Sequence, residues 1–233
     1  IEFSTGSRGG NALLGLTYKY KWTDRFNIYG QLLVDEFSSS DVLAKNGSYK
    51  NKTAYQLGGK YYDAFGVDHL NLQVEYNRVR PFTYAHNTVV LNYGHNNQSM
   101  AHTLGTNFSE FLAIARYRNG RFYATGKWIV ATRGLEYEAT DPPVFSGGSI
   151  YGSEDFRDGD LNHELGQGNT ADFSHVEVTA GYLINPASQL KIYASILRRQ
   201  LTPKVEDALS QKQTTTWINF GIRTDLFNWY RDF

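Results

Sequence analysis

Apolar and polar positions alternate along the chain with a period of two in nine runs, and no stretch of comparable length repeats at 3.6 residues. The clearest run is His69 to Asn77, with Leu70, Leu72, Val74 and Tyr76 on one face and Asn71, Gln73, Glu75 and Asn77 on the other. Ala12 to Trp22 sets Leu14, Leu16, Tyr18, Tyr20 and Trp22 against Thr17, Lys19 and Lys21, and Phe26 to Phe37 sets Phe26, Ile28, Leu32 and Val34 against Asn27, Tyr29, Gln31 and Asp35. Thr53 to Asp63, Arg121 to Thr132, Phe173 to Ile184, Gln189 to Ile196 and Thr214 to Leu226 divide in the same way. Asn107 to Arg118 is ambiguous, because Phe111, Ala113 and Ala115 compete with Leu112 and Ile114 for the apolar side.

A soluble β-sandwich also alternates. The connections decide against it, going short (Thr23 to Arg25), long (Ser38 to Lys52), short (Ala64 to Asp68), long (Pro81 to Gly105), short (Asn119-Gly120), long (Glu138 to Asp172), short (Asn185 to Ser188) and long (Leu201 to Gln213). A sandwich has no reason for that asymmetry, whereas an outer-membrane barrel has tight periplasmic turns at one rim and long extracellular loops at the other. The expected fold is therefore all-β, an antiparallel transmembrane outer-membrane β-barrel. Its aromatic residues fall near the run ends, as interfacial girdles require. Nine strands leave the parity odd where bacterial single-chain barrels are even. Residues 1–233 are thus expected to be the C-terminal portion of one barrel domain, with IEFSTGSRGG the descending part of an extracellular loop and the aromatic end at Phe233 its closing strand.

Composition narrows the function. The chain has 23 basic and 23 acidic residues and no cysteine. Thiol catalysis, disulfides and cysteine metal sites are excluded, and so is the basic footprint of a nucleic-acid binder. A mean hydropathy of −0.47 excludes a membrane helix, and it fits two-faced strands around a watery lumen.

Three segments, EYNRVRPFTYAH, NYGHNNQSMAH and LGTNFSE, all within Leu70 to Phe111, resemble the capsule-assembly Wzi family of outer-membrane barrels, in particular the Bacteroidota gliding-motility RemB group. The end FGIRTDLFN is similar more loosely. The resemblance implies a non-enzymatic protein of a Gram-negative outer membrane, in contact with the lipid bilayer. Its partners would be surface polysaccharide, as in the capsule-anchoring lectins, or other outer-membrane proteins of a gliding-motility or secretion assembly. No cofactor is implied.

The loop from Pro81 to Gly105 holds the candidate ligand-binding residues Tyr84, His86, Tyr93, His95, Asn97 and His102. Tyrosine faces stack on sugar rings, while Asn and His supply directional hydrogen bonds. Val89, Val90, Leu91 and Met100 make the same loop too apolar to lie in water, so it is expected to pack into or over the lumen as a plug. A histidine metal site is a third reading, without the usual ligand spacing.

Glu138 to Asp172 carries Asp141, Glu154, Asp155, Asp158, Asp160, Glu164 and Asp172, read as a solvated acidic loop rather than a calcium loop because the twelve-residue ligand pattern is missing. Catalytic motifs are absent, and inward His175, Glu177 and Ser195 are the remaining candidates for an assembled hydrolase site. The inward charges are mixed in sign, so a blocked, internally paired lumen is expected over a conducting porin.

Overall fold

The computed structural model describes residues 12–137 and 144–224. Expectations placed on Ile1 to Gly10, Asp141, Asp225, Leu226 and Phe233 lie outside the described residues.

All nine runs are strands: β1 (Leu14–Lys21), β2 (Phe26–Glu36), β3 (Lys52–Tyr61), β4 (Leu70–Val79), β5 (Phe108–Asn119), β6 (Phe122–Leu135), β7 (Asn169–Asn185), β8 (Leu190–Pro203) and β9 (Gln213–Arg223). They form one sheet in chain order, antiparallel throughout. The alternation of short and long connections holds at every step, so the long loops gather at one end of the sheet. One short helix, α1 (Ser39–Ala44), lies in the first of them.

The sheet of the described residues is open: β1 pairs only with β2, and β9 only with β8. The expected closed barrel is not formed within these nine strands. Alternating directions leave β1 and β9 parallel, so closing these nine strands on themselves would need one parallel pair in an otherwise antiparallel wall.

Register resolves the ambiguous run. Val74 faces Ala113 and Tyr76 faces Phe111, so Phe111, Ala113 and Ala115 join the apolar face, while Leu112 and Ile114 join Glu75 and Gln73 on the polar one. One apolar row, Tyr20–Ile28–Gly59–Val74–Ala113–Trp128–Val176, continues into Arg198 and Thr216, so the apolar band drifts along the register and the strands run tilted to it. Much of this face is open, with Leu16, Trp128, Ile218 and Phe220 among its exposed residues.

The buried core lies elsewhere. At the long-loop end the polar face carries one apolar row, Leu33–Ala54–Val79–Phe108, and the loops close over it with Tyr84, Ile150, Tyr93 and Leu104. A second cluster joins Phe82, Ala85 and Phe145, with Tyr49 packed alongside.

Two devices shape the wall. Tyrosine rings cover strand glycines, Tyr18 over Gly30 and Tyr29 over Gly58, which fills the gap a missing side chain leaves. In β2 a bulge sets Val34 against Thr53 and Glu36 against Lys52, with Asp35 as the extra residue. Both carboxylates then serve the loops: Asp35 accepts from the Tyr84 N–H at 2.9 Å, and Glu36 lies 3.1 Å from Lys52 Nζ.

Candidate functional site

The loop 80–107 leaves β4 through Arg80 and folds back over the polar face. Phe82, Thr83, Tyr84 and Ala85 are buried, so the loop packs onto the sheet, although the open sheet has no lumen for it to plug. Its anchors differ from those expected. Val89, Val90 and Met100 are exposed, Val90 at 90%, and Leu91 is only half-buried. The burial is supplied by Phe82 and Tyr84, whose rings meet Phe145 and Tyr93 at 5.4 and 5.7 Å. Both residues hold positive φ, 65° and 72°. Such conformations cost about 1–3 kcal/mol each in a bulky residue and persist where packing over-determines them.

Below the Leu33–Phe108 row runs a polar one in register, Gln31–Gln56–Asn77–Glu110. Between this floor and the loop lies a cavity of about 360 Å³, lined by Gln31, Gln56, Asn77, Tyr84, Tyr93 and His102 together with the apolar row. The floor is tied laterally. Gln56 donates to Glu75 at 3.0 Å, Tyr29 donates to the same carboxylate at 2.5 Å, and Asn77 donates to Glu110 at 2.8 Å. His102 Nε2 sits 3.1 Å from Glu110, and its ring lies 4.5 Å from that of Phe108. Burial, reinforced by the Asp35 charge, pushes the Tyr84 hydroxyl up to about 12, so it remains a neutral donor.

The six expected ligand residues thus divide. Tyr84, Tyr93 and His102 line one cavity. His95 and Asn97 instead stand on an exposed hairpin, where Gly94–His95 pairs with Gln98–Ser99 across a turn in which Asn96 and Asn97 both hold positive φ. His86 is half-buried, accepting from the Thr88 N–H at 3.0 Å. The Asn-Asn pair was readable as a turn; the partners Gln31, Gln56 and Glu110 were not, because they come from other strands.

Among the described residues no three potential metal ligands converge, in this loop or in the acidic one. The acidic loop is solvated at Asp155, Asp158, Asp160, Glu164 and Asp172, as expected, and departs from that at Glu154. Glu154 is buried against the ammonium of Lys52, which donates to Ala85 O at 3.2 Å as well. Asp160 pairs with Arg157 at 2.5 Å. Burial pushes the Glu154 carboxyl up, against the pull of Lys52. Loop 144–168 reaches across to 46–49, with Asn162 N–H donating to Asn46 O at 2.8 Å and Tyr49 N–H to Asp160 O at 3.0 Å.

The hydrolase arrangement does not assemble. His175 lies 3.4 Å from Glu177, but Ser195 pairs with Thr179, four positions along β7 from His175, about 13 Å away at strand rise. On the polar face Lys127 and Glu177 approach to 3.9 Å, while Lys60 and Lys191 sit over the Tyr29 and Tyr123 rings.

No protein-family model matches the chain, and no curated protein matches it. The class the structure establishes is an all-β protein with one antiparallel nine-stranded sheet, two-faced and capped by its own loops at one end. Among the described residues no helix is long and apolar enough to cross a membrane, which says nothing of strands.

Proposed function

We infer that the chain is part of the wall of an outer-membrane β-barrel that binds or anchors cell-surface polysaccharide. An apolar face exposed across nine strands, banded and tilted, suits hydrocarbon far better than water. The unpaired edges of β1 and β9 are then taken by further strands of the same barrel, since open edges are not tolerated in lipid. The resemblance of 70–111 to the Wzi and RemB group points the same way.

The observation that carries the polysaccharide reading is the 360 Å³ cavity, lined by the paired rings of Tyr84 and Tyr93 and by an amide floor of Gln31, Gln56 and Asn77. Aromatic stacking with convergent amides is the chemistry of a sugar site. The test is retention of polysaccharide from the protein's own cell surface by the purified barrel, compared with Tyr93→Ala and Gln56→Ala. Retention reduced at least tenfold in both variants supports the reading; equal retention by all three, or none by any, refutes it.

A second reading, a structural subunit of a motility or secretion assembly, is favoured by the bare apolar tip at Val89, Val90 and Met100. It requires stoichiometric partners after mild extraction. A porin draws least support, because the loop cap covers the polar face at the long-loop end.

A further inference from the structure

On the apolar side of the sheet, at the long-loop end, two arginines share one face, Arg78 within β4 and Arg80 just past its end. Arg78 follows Val74 and Tyr76 at the same parity, and Arg80 continues it, donating its N–H to Thr53 O. Directly beneath them the rings of Tyr55 and Tyr76 lie 6.0 Å apart, and Tyr55 is the cross-strand partner of Arg78. Aromatic pairs at the border of an apolar band mark the interface, and basic groups just beyond it stand at headgroup depth.

The arginines open into a hollow of about 760 Å³, bounded on its other sides by Lys45, Phe37 and Val42 of the α1 segment and by residues 162–165. Its charges are poorly compensated from within. Arg78 forms no ion pair among the described residues, and the buried Nε atoms of both arginines have no hydrogen-bond partner there. Arg80 reaches only two carbonyls, Ser48 O at 3.4 Å and His163 O at 3.5 Å. Of the two acids on the lining, Asp41 accepts from Asn46 at 3.0 Å, and Glu164 is exposed and forms no ion pair among the described residues. Burial and the neighbouring Arg78 charge both press the Arg80 guanidinium below its ordinary value.

We propose that this hollow binds the phosphate-bearing headgroup of an outer-leaflet lipid, held by Arg78, Arg80 and Lys45, with the acyl chains running down over Phe37 and the Tyr55–Tyr76 pair. Two guanidiniums on one face offer the forked donors that phosphate takes best, and Lys45 adds a point charge. Phe37 and Val42 are exposed apolar residues at the mouth, which suits a ligand polar at one end and apolar at the other. The proposal rests on the membrane reading above.

The experiment uses the purified whole barrel that contains this wall, in detergent and in vesicles, with native mass spectrometry against a diphosphorylated lipid A and a phosphate-free glycolipid of matched acyl chains. The expected result is selective retention of the phosphorylated lipid, weakened at least tenfold by Arg78→Gln, partly restored by Arg78→Lys and unchanged by Arg198→Gln. Equal retention of the two lipids by the unaltered protein overturns the proposal, whether or not the variants fold. Displacement by excess inorganic phosphate overturns the lipid source in favour of a free-anion site. Failure to enter vesicles overturns the membrane reading together with this one, whereas insertion without phosphate selectivity overturns this one alone.

Discussion

Lys52, the first residue of β3, buries its ammonium against the carboxylate of Glu154, 102 positions further along the chain. Removing one partner of a buried pair leaves the other charge uncompensated and costs about 3–5 kcal/mol. Lys52→Met or Glu154→Leu is therefore expected to release loop 144–168, seen as a lowered Tm and rapid proteolysis within it. The double substitution, which removes both charges, is expected to recover most of the loss. A double variant no better than the singles would mean that packing, not charge, holds the loop.

Tyr29 fills the space above Gly58, where an added Cβ would meet its Oη at 2.6 Å. Gly58→Ala must displace that ring and the hydrogen bond to Glu75, at about 1–3 kcal/mol. Gly15→Ala, where nothing lies within 4 Å, serves as the reference and is expected to be neutral. Denaturant titration of refolded protein separates the two.

Facing is tested on β4. Val74 stands on the exposed apolar face, so Val74→Arg is expected to cost about 2–4 kcal/mol in a lipid-folded state. Gln73→Arg enters the polar face beside Glu75, 3.4 Å from the existing amide, and is expected to be tolerated. Equal effects on assembly into vesicles would refute the assignment of faces.

Glu136 sits just past β6, accepting from the Ser146 and Gly148 N–H groups at 2.7 and 2.6 Å. Burial nevertheless pushes its carboxyl up from the ordinary 4.5, so the docked loop holds a proton more readily than the loosened one. Docking is then fullest below pH 4.5 and weakens as pH rises through the elevated value. Hydrogen exchange at 144–149 is expected to quicken over that range, and Glu136→Gln to flatten the dependence.

Period-two alternation located all nine strands because a sheet with one apolar and one polar face imposes a residue-by-residue choice, as at Leu70 to Val79. Even Phe111 against Leu112 was undecided only until a neighbouring strand supplied the register. The loops obey no such period. That Tyr84 would be buried and Val90 bare follows from which residues the Leu33–Phe108 row can receive, and that row is assembled from four strands. Lys52 reads as the last residue of a connection, and its pairing with Glu154 was not legible, since no local pattern links residues so far apart. The division of Tyr84, Tyr93 and His102 from His95 and Asn97 is likewise a product of the hairpin's direction, which side-chain chemistry alone leaves open.

The bulge in β2 gives the cap a common origin. Through Asp35 it fixes the backbone of Tyr84, and through Glu36 it shares Lys52 with Glu154, so two loops remote in sequence take their height above the wall from a single irregularity. The loop tips are thereby free to diverge in length and composition while their roots stay indexed to one another. A change at the tips can be accommodated without re-deriving the wall, provided the extra residue between Val34 and Glu36 is kept.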